Sequence, residues 1–193
     1  MKKSEIVLAI LSVIALVLNL LLIPCSEILT CLSLLGLAII YHYLGFALFN
    51  NIKLKNVFKK DSYKGITKFR ILGAIGAGFS LSMTVIGIMF KFQSFPGASF
   101  MLIGGLIGLL IVTIIGIIRY SKNKSDYYTK IFKRVAIIGG IGLVLILMPK
   151  SALSEFKYRN HPDYLKAVKE AVANPENEEL WGKVNEERQK INH

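Results

Sequence analysis

Hydrophobic positions in this chain come in long unbroken runs, and the polar positions crowd into the short stretches between them. Residues 6–23 form the first run, interrupted only by Ser12 and Asn19. Residues 28–49, 71–90 and 98–118 form the second, third and fourth. Each has the length of about 20 residues that a helix needs to cross the hydrocarbon core. A fifth and shorter run reaches spanning length over residues 131–148, provided that its first turn admits Lys133 and Arg134. Their long stems are expected to carry the charges out to the headgroups. The pattern predicts an all-α, polytopic membrane helix bundle of about five spans, with residues 1–149 as the transmembrane domain.

The connections predict how the spans are joined. Pro24 to Glu27 and Lys91 to Gly97 are short, so spans one and two, and spans three and four, fold as hairpins. Pro96-Gly97 suits the centre of a type II turn, with Pro fixing φ and Gly taking the positive φ. Lys91, Pro96 and Gly97 thus define the second hairpin turn, where Lys91 can snorkel.

Charge orients the bundle. The N-terminus has Lys2 and Lys3, the loop 51–70 has seven basic residues, and the loop 119–134 has six. Between them, the first hairpin turn has no basic residue and the second has Lys91 alone. Cytoplasmic loops concentrate Lys and Arg. The alternation therefore predicts a cytoplasmic N-terminus and a tail beyond a bacterial inner membrane. Residues 150–193 have eight basic and eight acidic residues, so the basic excess ends where that topology requires.

Composition agrees. Of 193 residues 53% are hydrophobic, 19% are charged, and the mean hydropathy is +0.53. A soluble domain of this size needs more polar surface. The net charge of +12 raises a nucleic-acid reading. The basic clusters flank apolar spans, however, so anionic lipid headgroups are the expected partner, with no nucleic acid. The first run also resembles a secretory signal, but it is long for one and lacks a small-x-small site before Pro24. An uncleaved helix is expected.

Small residues populate the spans. Gly73, Gly76, Ala77 and Gly78 lie in the third, and Gly104, Gly105 and Gly108 in the fourth, where Gly104 and Gly108 form a GxxxG pair. In lipid, close packing through small residues does much of what apolar burial does in water. Gly104, Gly108, Gly73 and Ala77 are the candidate packing or interface residues, within the chain or between subunits.

Candidate chemistry is sparse. No Asp or Glu lies within the five runs, although proton-coupled transporters usually place ionisable groups there. His42, beside Tyr41 and Tyr43, reads as an interfacial aromatic-belt position. Cys25 and Cys31 are six residues apart near a helix start, an awkward geometry for a disulfide, so free thiols are expected. Two Cys and three scattered His give no metal-ligand spacing, and no nucleophile-elbow, Walker or HExxH motif occurs. No catalytic residue, metal or cofactor is expected.

The tail reads as a helical hairpin. Pro162 suits a first helical position, and Leu165, Val168 and Val172 recur at helical spacing. Asn174-Pro175 predicts a stop and restart, with Asn174 as the next cap. Leu180, Trp181, Val184 and Ile191 give the second helix an apolar stripe, with Trp181 as an interface candidate. A hairpin this small makes no core of its own. It must dock on the membrane surface, on the chain's own turns, or on a partner.

Residues 85–106 read VIGIMFKFQSFPGASFMLIGGL. This segment resembles the transmembrane hairpin of the gliding-motility L protein (GldL) family, an inner-membrane subunit of the Bacteroidota gliding and type IX secretion motor. That family shows a Gly-rich helix, a Phe-Lys-hydrophobic-x-x-aromatic-Pro-Gly-Ala turn and a Met-Leu-rich helix. Here the turn is Phe90, Lys91, Phe92, Gln93, Ser94, Phe95, Pro96, Gly97 and Ala98, followed by Met101 and Leu102. The resemblance covers about residues 71–113. The family has two spans and a hairpin glutamate to which energy conversion is attributed; here Leu109 and Leu110 stand near that place. The resemblance implies an envelope protein built on a shared hairpin, without the motor activity.

Together these features lead to the expectation of a non-catalytic inner-membrane protein that assembles with itself or with an envelope partner. The alternative is a small transporter or channel subunit.

Overall fold

A computed structural model describes residues 2–149, 152–174 and 176–191, without the side chains of Lys60 and Val172. Four long helices follow the first four apolar runs: α1 (Lys2–Leu20), α2 (Ser26–Phe49), α3 (Lys68–Phe92) and α4 (Ala98–Lys122). All four are long and apolar enough to cross a membrane. The fifth run is part of a longer helical path: α5 (Asp126–Arg134), a π-helical turn (Val135–Gly139) and α6 (Gly140–Leu147). It begins earlier than its apolar residues do, because Ser125 caps it, its Oγ accepting from Tyr127 N–H at 3.4 Å. At about 1.5 Å per residue, the 22 residues from Asp126 to Leu147 extend about 33 Å.

Neighbours in sequence are neighbours in space: α1 packs on α2, α2 on α3, and α3 on α4. The π turn and α6 lie against both α3 and α4, so α3 is the central helix. Its buried face is made of Ala74, Ala77, Gly78, Ser80, Ser82 and Thr84 as well as Leu81 and Val85. The outermost helix shows the same preference. The buried residues of α1 are Glu5, Ser12, Ala15 and Asn19, while Ile6, Val13 and Val17 face outward. On α1 and along part of α3 small and polar residues thus face inward, as expected where close approach drives packing, while larger side chains such as Leu34, Phe49, Leu81 and Leu102 fill the rest of the core. Hydroxyls on the buried faces bond to backbone carbonyls: Ser80 Oγ to Gly76 at 2.9 Å and Thr84 Oγ1 to Ser80 at 2.8 Å. Thr30 Oγ1 also donates across to Ala15 O on α1 at 3.1 Å.

Three helices end in the same way. Leu22, Asn51 and Ser94 take positive φ after α1, α2 and α3. The following amides then reach back to Leu18 O, Ala47 O and Phe90 O, at 3.1, 2.8 and 2.8 Å. This is the Schellman closure, with apolar Ile23, Ile52 and Phe95 folding back over the last turn. Gly97 follows at φ 83 and ψ 0, the third position of the expected type II turn.

The tail forms α7 (Ala152–Lys157), α8 (Pro162–Ala173) and α9 (Glu178–Ile191). Pro162 begins α8 as expected, and α8 packs against α9. The restart differs from the sequence reading. Asn177, and not Asn174, caps α9, its Oδ1 accepting from Glu179 N–H at 3.1 Å. Asn174 closes α8 instead, donating to Glu170 O at 3.3 Å. Its acidic first turn moves the start of α9 to where those charges meet the helix N-terminus. Pro175, expected at the first helical position, lies outside the described residues.

Candidate functional site

The polar chemistry of the bundle gathers at its two ends. At the basic end, Glu5 of α1 turns inward, 6% exposed. Arg134, the last residue of α5, meets it with both prongs of the guanidinium: Nε to Oε1 and Nη2 to Oε2, each at 2.5 Å. Tyr41 of α2 donates its hydroxyl to Glu5 Oε1 at 2.9 Å. Arg134 Nη1 donates to Lys130 O at 2.8 Å, and its guanidinium lies 5.4 Å from the Phe49 ring centroid. One bidentate pair therefore fastens α1, α2 and α5 together, with planar fork matched to planar carboxylate. Lys133 is exposed, whereas Arg134 turns inward to Glu5 and away from the outward course expected of it. The buried Glu5 carboxylate holds the guanidinium within the bundle.

Beside this tie, α3, α4 and α5 leave a cleft of about 640 Å³. Its walls include Leu72, Gly73, Gly76, Ile111, Val112 and Ile115, and its mouth holds Arg70, Arg119 and Lys122. Tyr127 stands at the base of α5, donating to Arg70 O at 3.0 Å, while the Arg70 guanidinium lies 4.6 Å above its ring. Burial, and next the neighbouring Tyr128, raise the Tyr127 phenol above the ordinary tyrosine range, while Arg70 acts the other way. It stays a neutral donor. Arg70 Nε is shielded from solvent with no hydrogen-bond partner among the described residues. Arg119 packs its guanidinium 5.6 Å from the Phe69 ring.

At the opposite end, Glu27 opens α2. Lys157 of α7 reaches its Oε1 at 3.0 Å, and Arg188 of α9 approaches Oε2 at 3.7 Å. Gln93, at the end of α3, donates to Glu27 O at 2.9 Å and to Cys31 Sγ at 3.3 Å. Glu155 and Lys169 pair at 3.0 Å between α7 and α8. α7 and α9 of the tail thus both contact Glu27 beside the first hairpin turn. Nearby, Asn19 is fully buried with both amide atoms unpartnered among the described residues.

The residues singled out from the sequence fall into these contacts unevenly. Gly104 and Gly108 face α3: a β-carbon on Gly108 would collide with Ser80 Oγ, and one on Gly104 with the end of the flexible Met83 side chain. Ala77 is wholly buried, and Gly73 faces the Tyr127 hydroxyl at the cleft. Gly104, Gly108 and Ala77 thus lie in contacts between helices of the chain, while Gly73 borders the cleft. Lys91 is half-buried in the last turn of α3, with Pro96 and Gly97 exposed beyond it. Trp181 is 40% exposed on α9, where Val184 is the buried residue. His42 is exposed and edge-on to Tyr43. Both cysteines are free.

Sequence reasoning missed Glu5, Glu27 and Arg134 as ties. The signal was present: each carboxylate stands one residue ahead of an apolar run, and Arg134 lies where the fifth helix enters the same layer. Comparisons with known protein families, with curated proteins and with solved structures found no match to this chain.

Proposed function

We propose that this membrane protein is a non-catalytic component of the bacterial inner membrane, which assembles with itself or with an envelope partner. The observation supporting it most directly is where the charge goes. Among the described residues, the buried charged side chains, Glu5 and Lys157, are each committed to a tie between helices. Each is engaged in its tie, and removing either partner would leave a charge uncompensated. The hairpin resemblance of residues 71–113 supports an envelope setting. The exposed apolar face of α4, with Ile103, Ile107 and Ile114, supplies lipid- or subunit-facing surface.

The positive-inside rule supports a cytoplasmic basic end and a periplasmic tail. Purification from native membranes in mild detergent, with crosslinking, tests the assembly. A stoichiometric partner or a homo-oligomer is expected, and a monomer without one would overturn it. The topology is tested separately with a C-terminal tag, which should be reachable only from the periplasmic side.

A further inference from the structure

The cleft at the basic end joins two surfaces that seldom meet without a reason. Its apolar walls run along α3 and α4, where Leu72, Ile111 and Ile115 are more than half exposed on the outside of the bundle. Its mouth is cationic, with Arg70, Arg119 and Lys122, and no Asp or Glu lines it. None of the three cations forms an ion pair among the described residues. Arg70 adds a shielded guanidinium donor with no acceptor among the described residues. A donor of that kind is costly unless something accepts from it.

Floor and walls have room. At Gly76 a β-carbon would meet no neighbouring atom within 4 Å, so the groove beside it is open. The volume of about 640 Å³ falls in the range of small-molecule sites. An occupant must be apolar along one part and anionic at the end beside the arginines. It must also arrive from the bilayer, since the apolar walls open sideways. We infer that the α3–α4–α5 cleft binds one anionic phospholipid, with an acyl chain along Gly73 and Gly76 and its phosphate against Arg70 and Arg119. Arg favours phosphate through its planar fork of donors. Basic pockets between helices at this depth attract anionic headgroups. The inference does not depend on the chain having a protein partner.

The test uses the full chain, stripped of lipid in neutral detergent, with phosphatidylglycerol or phosphatidylcholine added back. Native mass spectrometry should show one phosphatidylglycerol retained in preference to phosphatidylcholine. Arg70→Gln and Arg119→Gln should each weaken that retention about fivefold. Gly76→Phe should abolish it by filling the groove, while the lipid-free thermal unfolding stays where it was. Equal retention of the two lipids would overturn the inference, as would variants that bind like the wild type. Displacement by inorganic phosphate at equal concentration would assign the arginines to a free anion and overturn it. So would a wild-type dimer that Gly76→Phe dissociates, because a second chain would then be the occupant.

Discussion

Glu5 and Glu27 occupy equivalent places in the sequence, each one residue ahead of an apolar run, yet they hold the molecule in different ways. Glu5 is sealed in, its side chain 8% exposed and its Arg134 partner 15%. It faces one guanidinium in fork geometry and one phenol, and both oxygens are used. Glu27 is 46% exposed and collects two cations from the tail, at 3.0 and 3.7 Å. Depth decides the difference. A buried ion pair gives up hydration, so removing one partner strands the other, while an exposed pair keeps its water and contributes little. The basic end should behave as a latch between spans and the tail end as a reversible clasp.

The sharpest way to break this comparison is to strand Arg134. Glu5→Ala should destabilise the bundle by about 3–5 kcal/mol, the range for uncompensated buried charge. The double variant Glu5→Leu with Arg134→Met should recover most of that loss, because both charges leave together. Reversible unfolding in mixed micelles reads both values. If the double variant loses as much as the single, Glu5 matters for something other than charge pairing.

Next in size is the α3–α4 seam, which lies between the two ends and is held by neither. Gly108→Leu should cost about 1–3 kcal/mol through overpacking against Ser80. Ser80→Gly should recover part of it. An undiminished stability on unfolding would mean that the seam is looser than the packing shows. A Gly108 variant that leaves the Glu5 double-variant difference unchanged would show that latch and seam act independently.

Most of this architecture could be read from the chain. The four long helices, both hairpins, the Pro96-Gly97 turn and the tail hairpin follow from runs of apolar residues and from local turn chemistry, which are encoded within a few positions. The ties could not be read in the same way. Glu5 and Arg134 are 129 positions apart, and nothing local says that their depths coincide. Alone, Arg134 looks like any cation at a membrane boundary, and the snorkelling rule gives the wrong direction for it. The cap of α9 failed for a smaller reason: Asn174 and Asn177 are both good caps, and only the fold of the turn between them decides.

The clasp at Glu27 predicts a weaker effect. Glu27→Gln should cost less than Glu5→Ala, because Glu27 keeps part of its water, although the substitution leaves the buried Lys157, 8% exposed, without its partner. It should nevertheless speed proteolysis of residues beyond α7, since Lys157 loses its partner. Added salt should mimic the substitution at the tail and leave the Glu5 latch intact, because screening acts on exposed charges most. Salt sensitivity of equal size at both ends would remove the distinction.

The smallest effect belongs to the tyrosines that border the clasp. Tyr158 and Tyr164 lie with ring centroids 4.4 Å apart. Burial raises both phenols above the ordinary value; next to it, the Glu27 charge raises Tyr158 and the neighbouring Tyr158 raises Tyr164. A group with a raised folded pKa favours the docked state at pH values below its ordinary pKa. That contribution is lost as pH climbs from about 10 toward the folded value. The tail should therefore loosen in alkali before the spans do, by an amount that Tyr158→Phe reduces. Absorbance of tyrosinate, followed alongside amide exchange in α8, reads the two together. Ionisation of both phenols near the ordinary value with no change in exchange would separate the pair from the clasp and leave Lys157 and Arg188 to hold the tail alone.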